Sequence, residues 1–585
     1  MKKYHKLLID LSIILALTVL LISPYLTKSF LAIEHDTFFH VSRIEQYARA
    51  LQHGQVLPAI YPYENGGFGY GSPLFYSDIF LLLPAILHNL GLVLVDSYKL
   101  TVFLASFFSG IAMYMLASKF TQKSSIRLLA VAAYLFSNYH ITDIYVRGAL
   151  GEVFALVGIP LILSGLYEIF ETNQKYSPSY LIGLVITVLS HNLSFLLCFI
   201  LVLIFSIIYL PTKSIHRYRI LIVESMLACL LTSFYTFPMI EQLKSQQFYL
   251  NYYASSSALE NHAMAFWQFF ANQTVFGLSG NQYNANNAMV VNIGLFLTIV
   301  PISYLFLTKK KHTLITIMLV IGWGCMLLPA QIFPWKSISV LRILQFPWRL
   351  NMLALPLLCV PAVIGIENLT HKLRYLPICL ILLLSLEGIY HLYPATKRTF
   401  IMPHNTTWQE VTNGKLIDPY YSAQYMRVEL AGGDYLPYNS PDFRSYTKTI
   451  QTTSGETITT GDWIDYGSYR FTITNPQTVV LPITYYKGYI VRNIDSTEIL
   501  ESSLSHNGLV SVSIPSAGTY VCLYQNTNIR IVSIWISILT CMISIGYIVY
   551  RKQKRILYDK YPFYYEIRNN LVLIIEKKLQ KKNMI

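Results

Sequence analysis

Apolar runs close to 20 residues long recur throughout this 585-residue chain, and they decide its class. A helix rises about 1.5 Å per residue, so about 20 apolar residues match a hydrocarbon core of about 30 Å. Only 13% of the residues are charged and 54% are hydrophobic, where soluble domains carry about 25% charged residues. A polytopic α-helical membrane protein is expected. The first run, Leu7 to Tyr25, follows Lys2, Lys3 and Lys6. That basic flank suits a signal peptide, but the run is long and no small-residue cleavage site follows it, so it is expected to remain as an anchor.

The formal net charge is +14. Its basic residues cluster between the apolar runs, the pattern of cytoplasmic loops under the positive-inside rule, so a nucleic-acid partner is not expected. Six of the seven cysteines, all but Cys522, lie in apolar runs, and no CxxC knuckle or disulfide framework is present.

Placing every basic cluster inside fixes an order of spans. Span one covers about 7–26 and span two about 98–118, with the external loop 27–97 between them. The run Ile79 to Val95 holds Pro84, His88, Asn89 and Gly91. It is expected to lie against or re-enter the outer leaflet, because counting it as a span would move every later basic loop outside. Spans three to seven follow at about 126–141, 150–170, two within 179–210, and 219–238. Span eight ends at Lys309-Lys310-Lys311, and spans nine to twelve lie at about 313–330, 349–367, 375–393 and 530–550. Twelve spans put both termini in the cytoplasm.

Residues 1–393 thus form a membrane domain. Over 394–529 the long apolar runs stop, and period-two segments such as Val479-Val480-Leu481 and Leu509-Val510-Ser511-Val512 appear between turns such as Asn507-Gly508. This predicts an external, C-terminal β-sandwich-like domain. The tail 551–585 is basic, with Leu571, Ile574, Ile575 and Leu579 near helical spacing, and suits the anionic inner leaflet as well as a plain stop-transfer tail.

With this topology, four outer loops carry ionisable groups at similar depth. Glu34, His35, Asp36 and His40 follow span one. Asp143, Arg147 and Glu152 lie between spans three and four, and His191 lies between five and six. Arg342, Gln345, Trp348 and Arg349 precede span ten. Such groups near a membrane are costly to leave unsatisfied, and acids mixed with arginines suit one charge-lined site. A carboxylate such as Asp36 can take a proton from an attacking hydroxyl. Arg147, Arg342 and Arg349 suit a phosphate, with His40, His191 and Trp348 as further substrate contacts. Glu34, Asp36, Asp143 and Glu152 could share Mg²⁺ or Mn²⁺. Each has a plainer reading. Asp36 could cap the helix starting near Thr37, Asp143 could pair with Arg147 one turn on, Trp348 could be an interface aromatic and the arginines outer-face anchors, and the histidines could be hydrogen-bonded wall residues. The aromatics Tyr61, Tyr63, Phe68, Tyr70, Phe75 and Tyr76 around Gly66-Gly67 could stack on a sugar or simply build a loop.

The segments Glu34-His35-Asp36-Thr37-Phe38-Phe39-His40, Tyr145-Val146-Arg147-Gly148-Ala149-Leu150-Gly151-Glu152 and Gln345-Phe346-Pro347-Trp348-Arg349, in that order, resemble the membrane glycosyltransferases of the C-type fold (GT-C). More narrowly they resemble bacterial members labelled "6-pyruvoyl-tetrahydropterin synthase-related membrane protein", although the chain lacks the zinc-binding histidine set of a pterin enzyme. The resemblance implies juxtamembrane helices in the first external loop and Asp36 as general base of an inverting transfer. It also implies a polyprenyl-phosphate sugar as donor, and an envelope glycan or glycolipid as acceptor on the outer face of the cell membrane. The competing expectations are a transporter or flippase of lipid-linked glycans and a non-catalytic envelope-assembly protein.

Overall fold

The computed structural model describes residues 2–251, 258–283, 285–398, 401–403, 433–443, 446–496 and 498–560. Seven helices are long and apolar enough to cross a membrane: Tyr4–Leu21, Leu94–Ala117, Leu150–Glu171, Asn192–Tyr209, Pro347–Glu367, Leu376–Lys397 and Asn528–Gln553. The expected seventh span is a bent pair instead, Ile215–Leu231 and Ser233–Ser245, turning by 74°. Four further helices lie at expected spans: Ser124–Leu135, Pro178–Ser190, Leu295–Leu307 and Thr313–Leu327. All four are shorter than the about 20 residues a bilayer core requires. Length alone therefore supports seven spans, or eight with the bent pair. Most of the basic tail lies outside the described residues.

The run Ile79 to Val95 is too short to cross. A 3₁₀ turn, Ile79–Leu81, leads into an eight-residue helix, Leu82–Asn89. It packs on the helices Thr37–Gln52 and Leu94–Ala117, and its outer side exposes Leu83, Ile86 and Leu90. The helix Thr37–Gln52 buries His40, Arg43, Ile44 and Tyr47 on its inner side.

Helix Leu150–Glu171 carries Gly151, Gly158 and Gly165, a seven-residue spacing that keeps them on one face. That face meets helix Pro178–Ser190 so closely that a Cβ at Gly158 would lie 2.3 Å from Thr187 Oγ1, and one at Gly165 2.3 Å from Tyr180 Cβ. Small residues allow this backbone approach where apolar burial supplies no drive between helices.

The C-terminal region is a β-sandwich. One antiparallel sheet runs in the order Ser503–Leu504, Leu509–Ile514, Gln477–Thr484, Ile450–Thr452, Thr457–Thr459. The other runs Asp462–Asp465, Ser468–Ile473, Gly518–Tyr524, Tyr489–Asn493, Ile499–Glu501. Ser468–Ile473 alternates buried and exposed residues. In Gln477–Thr484 every residue from Val479 on is buried, because the loop after the first apolar helix joins this core. Phe68, Tyr70 and Phe75 share one apolar cluster with Val480, Ile483 and Tyr486. Phe68 O accepts Thr484 N–H at 2.7 Å, and Trp463 Nε1–H donates to Gly67 O at 2.9 Å.

The bent pair also moors the sandwich. Gln242 exchanges hydrogen bonds with Lys487, donating to its carbonyl at 2.7 Å and accepting its N–H at 3.1 Å. The last helix, Asn528–Lys560, fills the bend: Ser537 Oγ lies 2.8 Å from Ser233 Oγ and accepts Phe234 N–H at 3.0 Å. Strand Phe30–Ala32 pairs antiparallel with Ile401–Pro403. The chain is a helical membrane protein with a β-rich C-terminal domain docked on the loop that follows its first apolar helix.

Candidate active site

The segment after the first apolar helix crosses directly over the turn before helix Leu150–Glu171. Asp36 N–H donates to Arg147 O at 2.8 Å and His35 N–H to Val146 O at 3.5 Å. Gly148, at φ +61°, makes the crossing possible: a Cβ there would lie 2.9 Å from Thr37 Oγ1. Asp36 occupies the capping position of helix Thr37–Gln52, but its side chain accepts no hydrogen bond from that helix. The carboxylate is half-buried, and among the described residues no side chain or backbone group hydrogen-bonds it. The plain capping role therefore does not account for it.

Beside it lies a buried charge cluster built on Glu152. Arg147 Nη2 donates to Glu152 Oε1 at 2.8 Å, and Arg147 Nη1 lies 2.8 Å from Oε2 and 2.5 Å from Asp143 Oδ1. Arg349 Nε donates to Glu152 Oε1 at 2.9 Å, and Tyr139 Oη–H to Oε2 at 2.8 Å. Arg349 is positioned by the turn Pro347–Leu350 and by Gln345 (φ +60°, rare for a non-glycine residue). Its Nη1 donates to Gln345 Oε1 at 2.7 Å and Leu344 O at 3.0 Å, while Nη2 has no partner among the described residues. Trp348 is buried under the Arg147 guanidinium, 4.7 Å from its ring centre, and stacks on Phe346. It is a floor of the cluster, not an interface aromatic.

Asp36 feels this cluster. Burial raises its pKa above the ordinary 3.8, with Glu152 adding to the rise and Arg147 and Arg349 opposing it. A carboxylate shifted upward is a better proton acceptor near neutral pH. His191, at the head of helix Asn192–Tyr209, joins the same group; burial pushes it down to about 3, so it is neutral. His35 is held down to about 4, by desolvation and by Arg147 and Arg398.

His40 belongs to a neighbouring group. Its Nδ1 lies 3.2 Å from Arg43 Nη1, and burial keeps it neutral. Arg43 forms an ion pair with Asp78, donating from Nε at 2.7 Å, and lies 4.3 Å over the Tyr76 ring. Tyr76 links the two groups: its hydroxyl packs where a Cβ on Gly151 would be only 1.6 Å away. The described contacts do not place Arg342 in either group.

The four proposed metal acids do not converge. Among the described residues no group of three or more His, Cys, Asp or Glu side chains could hold a metal ion. Glu152 and Asp143 are occupied by arginines, and Glu34 faces away, toward Arg398 at 3.9 Å. Both Glu34 oxygens lack hydrogen-bond partners, and burial pushes its carboxyl up to about 8.

Sequence reasoning missed Arg43, Asp78 and Asp434, and singled out Tyr76 only as one of several loop aromatics that could stack on a sugar. Asp434 sits on the 3₁₀ turn Gly433–Tyr435 of the C-terminal region and is pushed up to about 6, by burial and by Asp36, with Arg349 opposing. The only sequence hint was Gly151 beside Glu152, marking a close approach. The cluster lies where the membrane helices, the first loop and the C-terminal region meet.

No family model matches the chain. It is 24% identical over 558 residues to an uncharacterized protein of Lactococcus lactis subsp. cremoris (strain MG1363), covering 86% of this chain and 88% of that one. Among solved structures it is similar to the mycobacterial arabinofuranosyltransferase AftD, with a TM-score of 0.45 and 12% identity. That match covers 72% of this chain, which spans only 29% of the AftD chain.

Proposed function

We propose that the protein is a GT-C-type membrane glycosyltransferase, acting on the outer face of the membrane with both termini in the cytoplasm. The observation that carries the reading is the Asp36 carboxylate, which is accessible, has no hydrogen-bond partner among the described residues, and is set beside the paired arginines. In the proposed reaction an acceptor hydroxyl gives its proton to Asp36, and its oxygen attacks the anomeric carbon of a polyprenyl-phosphate sugar. The bond from that carbon to the phosphate oxygen breaks with inversion, and the polyprenyl phosphate leaves with the electron pair. Arg349 Nη2 is the donor open to the phosphate, while Arg147 is held by its two carboxylates and orients the Asp36 segment through its own carbonyl. No step is routed through a divalent cation, because Asp143 and Glu152 are paired with arginines and Glu34 is turned toward Arg398, which leaves Asp36 alone among the four acids.

A transporter reading would draw on the bent helix pair, since broken helices line transport sites. Here the break is filled by Ser233 and Ser537, and the acids gather at the helix ends. The test is Asp36→Asn, inserted and expressed as the native chain. Transfer to the envelope glycan should fall by about 10²–10⁴-fold, the contribution of a general base. Transfer at the native level would overturn the assignment.

A further inference from the structure

We propose that Asp434 is an acceptor-binding residue whose carboxylate accepts hydrogen bonds from hydroxyls of the sugar that Asp36 deprotonates, so that the β-domain helps select the acceptor. The inference rests on the glycosyltransferase reading above. Its geometric basis is how firmly the turn is held. Tyr435 stacks flat on Phe75, with ring centres 5.1 Å apart and planes 5° apart. Its N–H bonds to the Tyr70 hydroxyl at 3.3 Å, and its carbonyl accepts from Tyr486 Oη at 3.0 Å. Phe75 is in turn fixed through its carbonyl, which accepts from Asn192 Nδ2 at 2.9 Å and Tyr235 Oη at 2.7 Å. The next residue is Tyr76, whose hydroxyl rests on Gly151. The turn bearing Asp434 is thus registered against the Glu152 cluster through one stacked pair of rings.

Asp434 is half-buried, and among the described residues its carboxylate has no hydrogen-bond partner. Two accessible, unpartnered carboxylates, one on the first loop and one on the β-domain, therefore lie within electrostatic reach of each other and of Arg349. Like charges placed this way repel, and a purely structural turn gains nothing from them. A sugar does: an ionised carboxylate is an acceptor with two oxygens, and a hydroxyl-bearing ring presents donors. Sites that hydrogen-bond a substrate hydroxyl discriminate strongly against analogues lacking it. The arrangement divides labour. In the proposed arrangement Arg349 takes the donor phosphate, Asp434 the acceptor hydroxyls, and Asp36 the proton.

The test uses the full-length chain in membranes of producing cells, following label from their own lipid-linked sugars into glycan. Methyl glycosides of common hexoses and pentoses serve as competing acceptors, and farnesyl phosphate as a probe of the phosphate side. Asp434→Asn should raise the concentration of glycoside giving half-maximal transfer at least tenfold, leave farnesyl phosphate binding within twofold, and be rescued in part by Asp434→Glu. Native glycoside dependence in a folded Asp434→Asn chain, with Asp36→Asn inactive, overturns the role of Asp434 and leaves the parent reading standing. Equal losses of glycoside use and farnesyl phosphate binding also overturn it, in favour of a structural role. An active Asp36→Asn chain would instead remove the parent reading.

Discussion

Replacing Glu152 with Gln keeps the shape of the side chain and removes the charge between two arginines. Glu152 is 1% exposed, Arg147 5% and Arg349 6%, so bulk water compensates none of them. The three contacts of Glu152 with the arginines are 2.8, 2.8 and 2.9 Å. With charge centres about 4 Å apart and an effective dielectric of about 20, each attraction is about 4 kcal/mol. Much of that offsets the cost of desolvating the ions. What a single replacement exposes is an uncompensated buried charge, at about 3–5 kcal/mol. The Gln amide also turns a donor toward guanidinium donors. The midpoint of thermal unfolding in detergent, read as loss of the monodisperse peak, should fall by about 5–10 °C. Removing one arginine as well relieves part of this, so Glu152→Gln/Arg349→Gln should cost less than the sum of the single variants by about 0.5–3 kcal/mol. A midpoint within about 1 °C of the native chain, or strict additivity in the double variant, would refute the shared ion cluster.

Other perturbations test the surroundings. Because Glu34 is pushed from 4.5 up to about 8, the folded chain keeps a proton there that the unfolded chain loses above 4.5. Stability from this group is complete at low pH and declines as pH rises through about 8. Glu34→Gln should flatten that decline in thermal midpoints measured across the window; an unchanged slope would place the titration elsewhere. Gly151→Ala puts a methyl 1.6 Å from the Tyr76 hydroxyl and 2.9 Å from Ser190 O. It should destabilise by about 1–3 kcal/mol through overpacking, and Tyr76→Phe should return only part of that, since the ring carbon is still 2.7 Å away.

The parts of the fold set by local pattern were legible in the sequence. Apolar length located the helices, and period two located the strands of the sandwich. Charge bookkeeping kept Ile79 to Val95 from being read as a crossing. Three charged segments that the sequence grouped, around Asp36, Arg147 and Arg349, do meet. The bend at Thr232 was not legible: neither Pro nor Gly occupies it, and the serine that packs into it comes from a helix some 300 residues later in the chain. Arg43 and Asp78 read as ordinary polar residues of an interfacial helix and loop, because their pairing joins two segments of unremarkable composition. Asp434 was hidden by distance along the chain. A lone Asp in a β-rich region carries no local mark of facing a membrane-side site about 400 residues away. The pairing of the proposed metal acids was hidden for a related reason: spacing showed acids at one depth but not the arginines lying beside Asp143 and Glu152.

The sharing of one core by the first loop and the sandwich has a consequence for biogenesis. Phe68, Tyr70 and Phe75 leave the ribosome long before the strands that bury them, separated by roughly 400 residues of synthesis. At 5–20 residues per second that is a wait on the order of 20–80 s. During that interval an aromatic loop stands uncovered at the membrane surface, a natural client for chaperones and proteases. The same delay makes the proposed site latent. Its walls come from the beginning, middle and end of the chain, so the proposed acceptor wall is in place only after the sandwich has closed and the final helix has seated against the bend.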